Sequence, residues 1–117
     1  MPADMAWRPS GSLERLRLRA RLLATIREFF DSRGALEVDT PALVNHGVTD
    51  VNLDSAEVRC GGRSGFLHTS PEYAMKRLLA AGSSDIYQLC HVVRGDESGR
   101  HHNPEFMLPE WYRVGWT

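Results

Sequence analysis

Cysteine is scarce in these 117 residues, and neither Cys60 nor Cys90 has C-x-x-C or metal-ligand spacing. That excludes a disulfide framework or a cysteine-built zinc site and predicts two reduced thiols in core or strand positions. No apolar run approaches the ~20 residues a membrane-spanning helix needs, and Met1 to Ser10 lacks the apolar centre of a signal peptide. Charge of one sign is lacking too. Fourteen Lys and Arg against 15 Asp and Glu leave a net charge of −1, which makes no case for nucleic-acid or membrane binding by the whole chain. No internal repeat or low-complexity segment interrupts it. The cytoplasm is the default location.

What is present fits one small domain. Hydrophobic residues make up 42% of the chain, an ordinary globular composition, and a chain of this size buries about two-thirds of its unfolded surface. Residues 1–11 are polar and contain proline and glycine, which predicts a flexible leader. From Ser12 the pattern turns helical: Leu13, Leu16, Ala20, Leu23, Ile26 or Arg27, and Phe30 recur at three- and four-residue steps. Ser12 as N-cap and Gly34 as stop predict a helix from Leu13 to Arg33. Arg15, Arg17, Arg19, Arg21 and Arg27 occupy much of its remaining surface, either as a solvated face or as a nucleic-acid contact.

Leu36 to Asp39 alternates apolar and acidic residues and ends at Thr40-Pro41, a short strand stopped by proline. Residues 42–55 read as loop. Strands are predicted over Ala56–Cys60 and Gly65–Thr69, joined by the turn Gly61-Gly62-Arg63-Ser64. Ser70 as cap and Pro71 in the first helical position open a second helix that Gly82 ends. Its inner stripe is read as Tyr73 or Ala74, Arg77 or Leu78, and Ala81. Ile86–Val93 and Pro104–Arg113 are the strongest strand candidates. Helix, strand, hairpin, helix, hairpin gives an α+β fold with an antiparallel sheet flanked by helices.

The second hairpin carries the chemistry. Strand alternation puts Gln88, Cys90, Val92 and Arg94 on one face, and Phe106, Leu108, Glu110 and Tyr112 on one face of the other strand. An arginine, a glutamine, a glutamate, a tyrosine and a phenylalanine make a poor core. They make a polar pocket with an aromatic platform, or a solvent-facing strand with incidental polar residues.

Val93 to Arg113, with R-G-D, then H-N-P-E-F, then E-W-Y-R, resembles motif 2 of the class II aminoacyl-tRNA synthetases in its lysine-type form. Gly34 to Leu43 after a long helix is similar to motif 1 of that family, and Thr69 to Leu79 (T-S-P-E-Y-A-M-K-R-L-L) to its substrate-reading segment. The three lie in family order and cover nearly the whole chain from residue 12. Within the superfamily the wording is similar to the elongation factor P lysine ligases, synthetase paralogues without the anticodon-binding barrel of lysyl-tRNA synthetases.

The resemblance implies an ATP-dependent ligase that activates lysine or (R)-β-lysine as an aminoacyl-adenylate. It then transfers the acyl group to a lysine of elongation factor P, with tRNA not a substrate. It implies Arg94 as the catalytic arginine, with Gly95, Asp96, His102, Asn103 and Phe106 also on ATP. Ser70, Pro71, Glu72, Glu110 and Tyr112 are implied on the amino-acid substrate. A homodimer through the motif 1 region is implied, as is magnesium, whose ligands are expected further along than this chain reaches. Without the resemblance, Ser70-Pro71 could be only a helix start, Phe106 core, His102 an ordinary loop histidine, and Arg94 with Glu110 a cross-strand ion pair.

Three departures from the family pattern matter. Asp96 is one methylene shorter than the usual glutamate, Pro109 falls inside a strand, and no motif 3 follows before Thr117. The expectation is therefore the N-terminal part of such a ligase, residues 12–117 carrying motifs 1 and 2, with little activity by itself. A lysyl-tRNA synthetase fragment and a non-catalytic dimerisation module are the alternatives.

Overall fold

The computed structural model describes residues 6–46, 55–95 and 103–115. The chain divides into two compact units, residues 1–33 and 34–117.

The first unit is built on α1, Leu13–Asp31. Ser12 caps it, its hydroxyl accepting from the Arg15 amide at 3.1 Å. The predicted end at Arg33 lies two residues too far. The Ser32 hydroxyl donates back to the Phe29 carbonyl, and the Arg33 amide reaches only three residues back, to Phe30. The last turn tightens instead of continuing. Along the predicted stripe, Leu23, Ile26 and Phe30 are half-buried while Leu13, Leu16 and Ala20 are exposed; Arg15, Arg17 and Arg21 are exposed as well.

The second unit holds two three-stranded sheets and a nine-residue helix. In chain order these elements are β1 (Leu36–Glu37), β2 (Leu43–Val44), β3 (Ala56–Cys60), β4 (Arg63–Leu67), α2 (Glu72–Ala80), β5 (Ile86–Val93) and β6 (Glu105–Tyr112). One sheet runs β1-β5-β6 and the other β2-β4-β3. Together with α1 they make an α+β chain. The antiparallel expectation needs two corrections: there are two sheets, not one, and β1 pairs with β5 in parallel, Leu36 beside Ile86 and Glu37 beside Tyr87. The segment read as loop also contributes β2, which pairs antiparallel with β4.

The β3–β4 hairpin turns on two residues, not four. Gly61 and Gly62 both take positive φ, +61° and +79°, as the two central positions of a tight type I′ turn require. Cys60 then stands directly opposite Arg63. At Gly65, a Cβ would lie 3.0 Å from the Val44 carbonyl, so the missing side chain is what lets β2 close on β4.

His68 stitches the two sheets together just after β4. Its amide donates to the Ala42 carbonyl, and its carbonyl accepts from the Val93 amide. Its ring Nε2 lies 2.6 Å from the His91 carbonyl oxygen; a carbonyl only accepts, so Nε2 carries the proton.

The fully buried set is Met75, Ile86, Tyr87 and Val92, with Thr69, Pro71 and Gln88 beside them. Of the stripe predicted for α2 only Ala74 is even half-buried. Met75 is the helix's buried residue, whereas Tyr73 is half exposed and Arg77 and Leu78 lie outside. Pro71 is the N-cap rather than the first helical residue, and the buried positions are Pro71 and Met75, four residues apart.

Pro109 is accommodated as an edge residue. The Arg94 amide donates to the Pro104 carbonyl, and pairs two apart repeat that bonding, so Leu89–Pro109 falls at a non-bonded position. Among the described residues β6 is the last strand of its sheet, and the proline nitrogen faces away from β5, so no bond of the β5–β6 ladder is lost.

Candidate active site

The β5–β6 register sets one face of the site. Gln88 stands opposite Glu110, Cys90 opposite Leu108, Val92 opposite Phe106 and Ile86 opposite Tyr112, so the polar and aromatic side chains do share a face. Gln88 is not free to bind a ligand. It is buried, its amide oxygen accepts from the Thr40 amide at 3.0 Å, and its nitrogen donates to Thr40 Oγ1 at 2.9 Å. That amide ties the chain after β1 to the centre of the sheet.

Arg94 follows β5 immediately. Its Nε donates to the Thr69 carbonyl at 3.2 Å, and its guanidinium carbon lies 5.3 Å from the centre of the Phe106 ring, within cation–π range. The buried Thr69 backbone and a half-buried ring thus hold the guanidinium from two sides. Its terminal nitrogens have no protein partner among the described residues. A planar fork with both terminal nitrogens unspent suits a carboxylate or a phosphate.

Beside it lie two carboxylates. Glu72 opens α2, with the Ser70 hydroxyl accepting from its amide at 3.3 Å; Ser70 is half-buried and Pro71 buried. The Glu72 carboxylate takes Lys76 Nζ on Oε1 at 2.7 Å. Across from it, Glu110 accepts from the Tyr112 hydroxyl at 3.0 Å. Burial raises the Glu110 proton affinity above the ordinary carboxylate range; the Tyr112 hydrogen bond opposes this, Glu72 adds to it, and Lys76 and Arg94 oppose it. Burial, followed by the bond to Glu110, also pushes the Tyr112 phenol up, so the phenol is a donor at neutral pH. Ser70 and Pro71 border a cavity of about 300 Å³ walled by Leu43, Val44 and Leu67 among others.

Gly95, just after β5, and Asn103, just before β6, are exposed. Asp96 and His102 lie outside the described residues. Glu72, Arg94, Phe106, Glu110 and Tyr112, distant in sequence, therefore come together as one group, whereas Ser70 and Pro71 line the cavity, which none of those five borders. Two participants went unread. The Thr69 carbonyl has no sequence signal, but Lys76, four residues after Glu72, has one in the helical ion-pair spacing. Cys90 shares the face, and its thiol is pushed up to about 11 by burial, then by Glu110 and Asp39. It is a protonated wall, not a nucleophile. Among the described residues, no three His, Cys, Asp or Glu side chains gather to hold a metal ion, so the magnesium implied by the resemblance finds no ligand set in them.

The raised Glu110 proton affinity gives a stability prediction. The folded state holds this proton to a higher pH than the unfolded chain does, so stability falls as pH rises from the ordinary carboxylate value through the raised one. Urea melts of the wild type and Glu110→Gln across the weakly acid range check this. The variant should lose part of that downward slope.

No helix among the described residues is long and apolar enough to cross a membrane. The family model for class II tRNA synthetases (D, K and N) matches residues 4–114. The chain is 54% identical to the elongation factor P–(R)-β-lysine ligase of Vibrio vulnificus, with 98% of this chain aligned to 37% of that protein. It is 53% identical to the ligase of the same name from Pasteurella multocida over 92% of this chain and 35% of that one. For Erwinia tasmaniensis the values are 54%, 97% and 37%. The chain thus spans little more than a third of the length of these curated relatives. The match over almost its whole length places it: the chain belongs to the class II tRNA synthetase family, in the group that serves aspartate, lysine and asparagine.

Proposed function

We propose that this chain supplies the amino-acid and α-phosphate half of a site that activates (R)-β-lysine with ATP and passes it to a lysine of elongation factor P. The observation that carries the reading is the grouping of one half-spent guanidinium, one aromatic face and two carboxylates from three separate segments. In the first step a substrate carboxylate oxygen bonds to the α-phosphorus as the bond to the β-phosphate oxygen breaks, giving the aminoacyl-adenylate and pyrophosphate. In the second, an amine of the acceptor protein attacks the activated carbonyl and AMP leaves with the bonding electrons.

Each residue has a part. Arg94 draws the two anions together and offsets charge growing on the phosphate oxygens. Phe106 offers its ring to adenine, with Gly95, Asp96, His102 and Asn103 lining the nucleotide from the turn. Glu72 and Glu110 receive substrate ammonium groups, Tyr112 orients Glu110, and Ser70 with Pro71 fixes the start of α2. Relatives at 53–54% identity carrying the ligase name support the choice of acceptor.

ATP–pyrophosphate exchange tests this, run with the whole polypeptide that the gene encodes. Exchange should depend on (R)-β-lysine, be weaker with α-lysine, and be followed by acyl transfer to elongation factor P. Charging of tRNA in place of that transfer would overturn the reading.

A further inference from the structure

Lys76 takes no part in the reaction just described, yet it bonds one carboxylate of the site and its charge acts on the other. It sits one helical turn beyond Glu72 with its Nζ 2.7 Å from Oε1, while Oε2 of Glu72 has no protein partner among the described residues. We propose that Lys76 is a positioning residue. It clamps one oxygen of Glu72, so that the other is aimed at the substrate ammonium, and it holds positive charge between Glu72 and Glu110 until that ammonium arrives. The inference rests on the reading of Glu72 and Glu110 as the carboxylates that bind the substrate amines.

The clamp has a simple basis. A glutamate at the first position of a helix has free rotamers and half of its side chain in water. A lysine four residues later is the partner the helix places best, with glutamate N-terminal to lysine as the favoured order. Tied at Oε1, Glu72 loses that freedom before binding, so a substrate need not pay for it. The second role is electrostatic. The groups that act on Glu110 are Tyr112 on its own strand, Arg94 beyond β5, and Glu72 and Lys76 on α2, with the un-ionised Cys90 thiol beside it on β5. Two carboxylates that must both be ionised to receive amines oppose each other, and Lys76 and Arg94 are the cations that offset this.

The test compares Lys76→Met and Lys76→Arg in pyrophosphate exchange by the whole gene-encoded polypeptide. Lys76→Met should raise KM for the lysine-type substrate about threefold, the scale of an exposed ion pair, with kcat and the KM for ATP little changed. The acid limb of its kcat/KM profile should move to higher pH, because Glu110 loses a cation that keeps it ionised. Lys76→Arg should restore both. In a Glu72→Gln background, Lys76→Met should no longer raise KM to the same extent. A lower KM in Lys76→Met would make Lys76 a competitor for Glu72 and overturn the proposal. So would an unchanged KM with an unmoved profile. If the wild type activates no lysine-type substrate, the reading of the carboxylates falls first and this inference with it.

Discussion

Replacing Arg94 with alanine is expected to lower kcat/KM for amino-acid-dependent pyrophosphate exchange by about 10²- to 10³-fold, the range lost with one preorganised donor at a site of developing charge. The size of the effect follows from how the side chain is held. Its Nε is spent on the Thr69 carbonyl and its plane lies near the Phe106 ring. Little rearrangement is then needed to present the remaining donors. Lysine in its place should recover only a small part of the loss. An ammonium reaching the same spot keeps the charge but cannot bond the Thr69 carbonyl and bridge carboxylate and phosphate together. Parallel thermal melts separate function from folding: Arg94→Ala also leaves the Thr69 carbonyl without its side-chain donor, a cost of about 1–3 kcal/mol if no water replaces it. A melt shifted by that amount with exchange still at wild-type level would remove Arg94 from the reaction.

The faces of β5 and β6 were readable because alternation is a local rule; the register that puts Glu110 and Tyr112 opposite Gln88 and Ile86 was not, since alternation alone allows any even shift. What those side chains do was less readable. Gln88 looks like a pocket residue in the sequence, but its partner Thr40 lies 48 positions away, and nothing local announces that bond. The same limit hid β2 and the parallel partner of β1, although the alternation over Leu36 to Asp39 had marked β1 itself as a strand. A two-residue strand such as β2 has no periodicity to detect; it exists because a longer partner offers a ladder. In α2 the apolar pattern admits more than one inner stripe, and only the structure shows that the buried side carries Met75 and Pro71. The two site partners that went unread differ in kind. A backbone carbonyl such as that of Thr69 carries no side-chain signature, whereas the Glu72–Lys76 pair has one in its i,i+4 spacing.

Tyr87 carries the largest expected stability effect. It is the second residue of β5, fully buried, beside Glu37 of β1 on one side and Trp111 of β6 on the other. Its carbonyl accepts from the Val38 amide at 2.9 Å, and its hydroxyl donates to Glu37 Oε1 at 3.2 Å. Tyr87→Ala should cost about 3–5 kcal/mol, as truncation of a buried aromatic residue does, which is a large share of the ~5–15 kcal/mol holding a small domain folded. Tyr87→Phe separates packing from polarity. It keeps the ring and removes one hydroxyl bond to an exposed carboxylate, a loss of about 0.5–1.5 kcal/mol. Urea unfolding of both variants decides between them. If phenylalanine is as damaging as alanine, the link between β1 and β5 rests on the Glu37 bond. If phenylalanine is nearly silent, the ring itself holds the parallel pair, and through Gln88, the next residue along, it also holds the floor beneath Glu110.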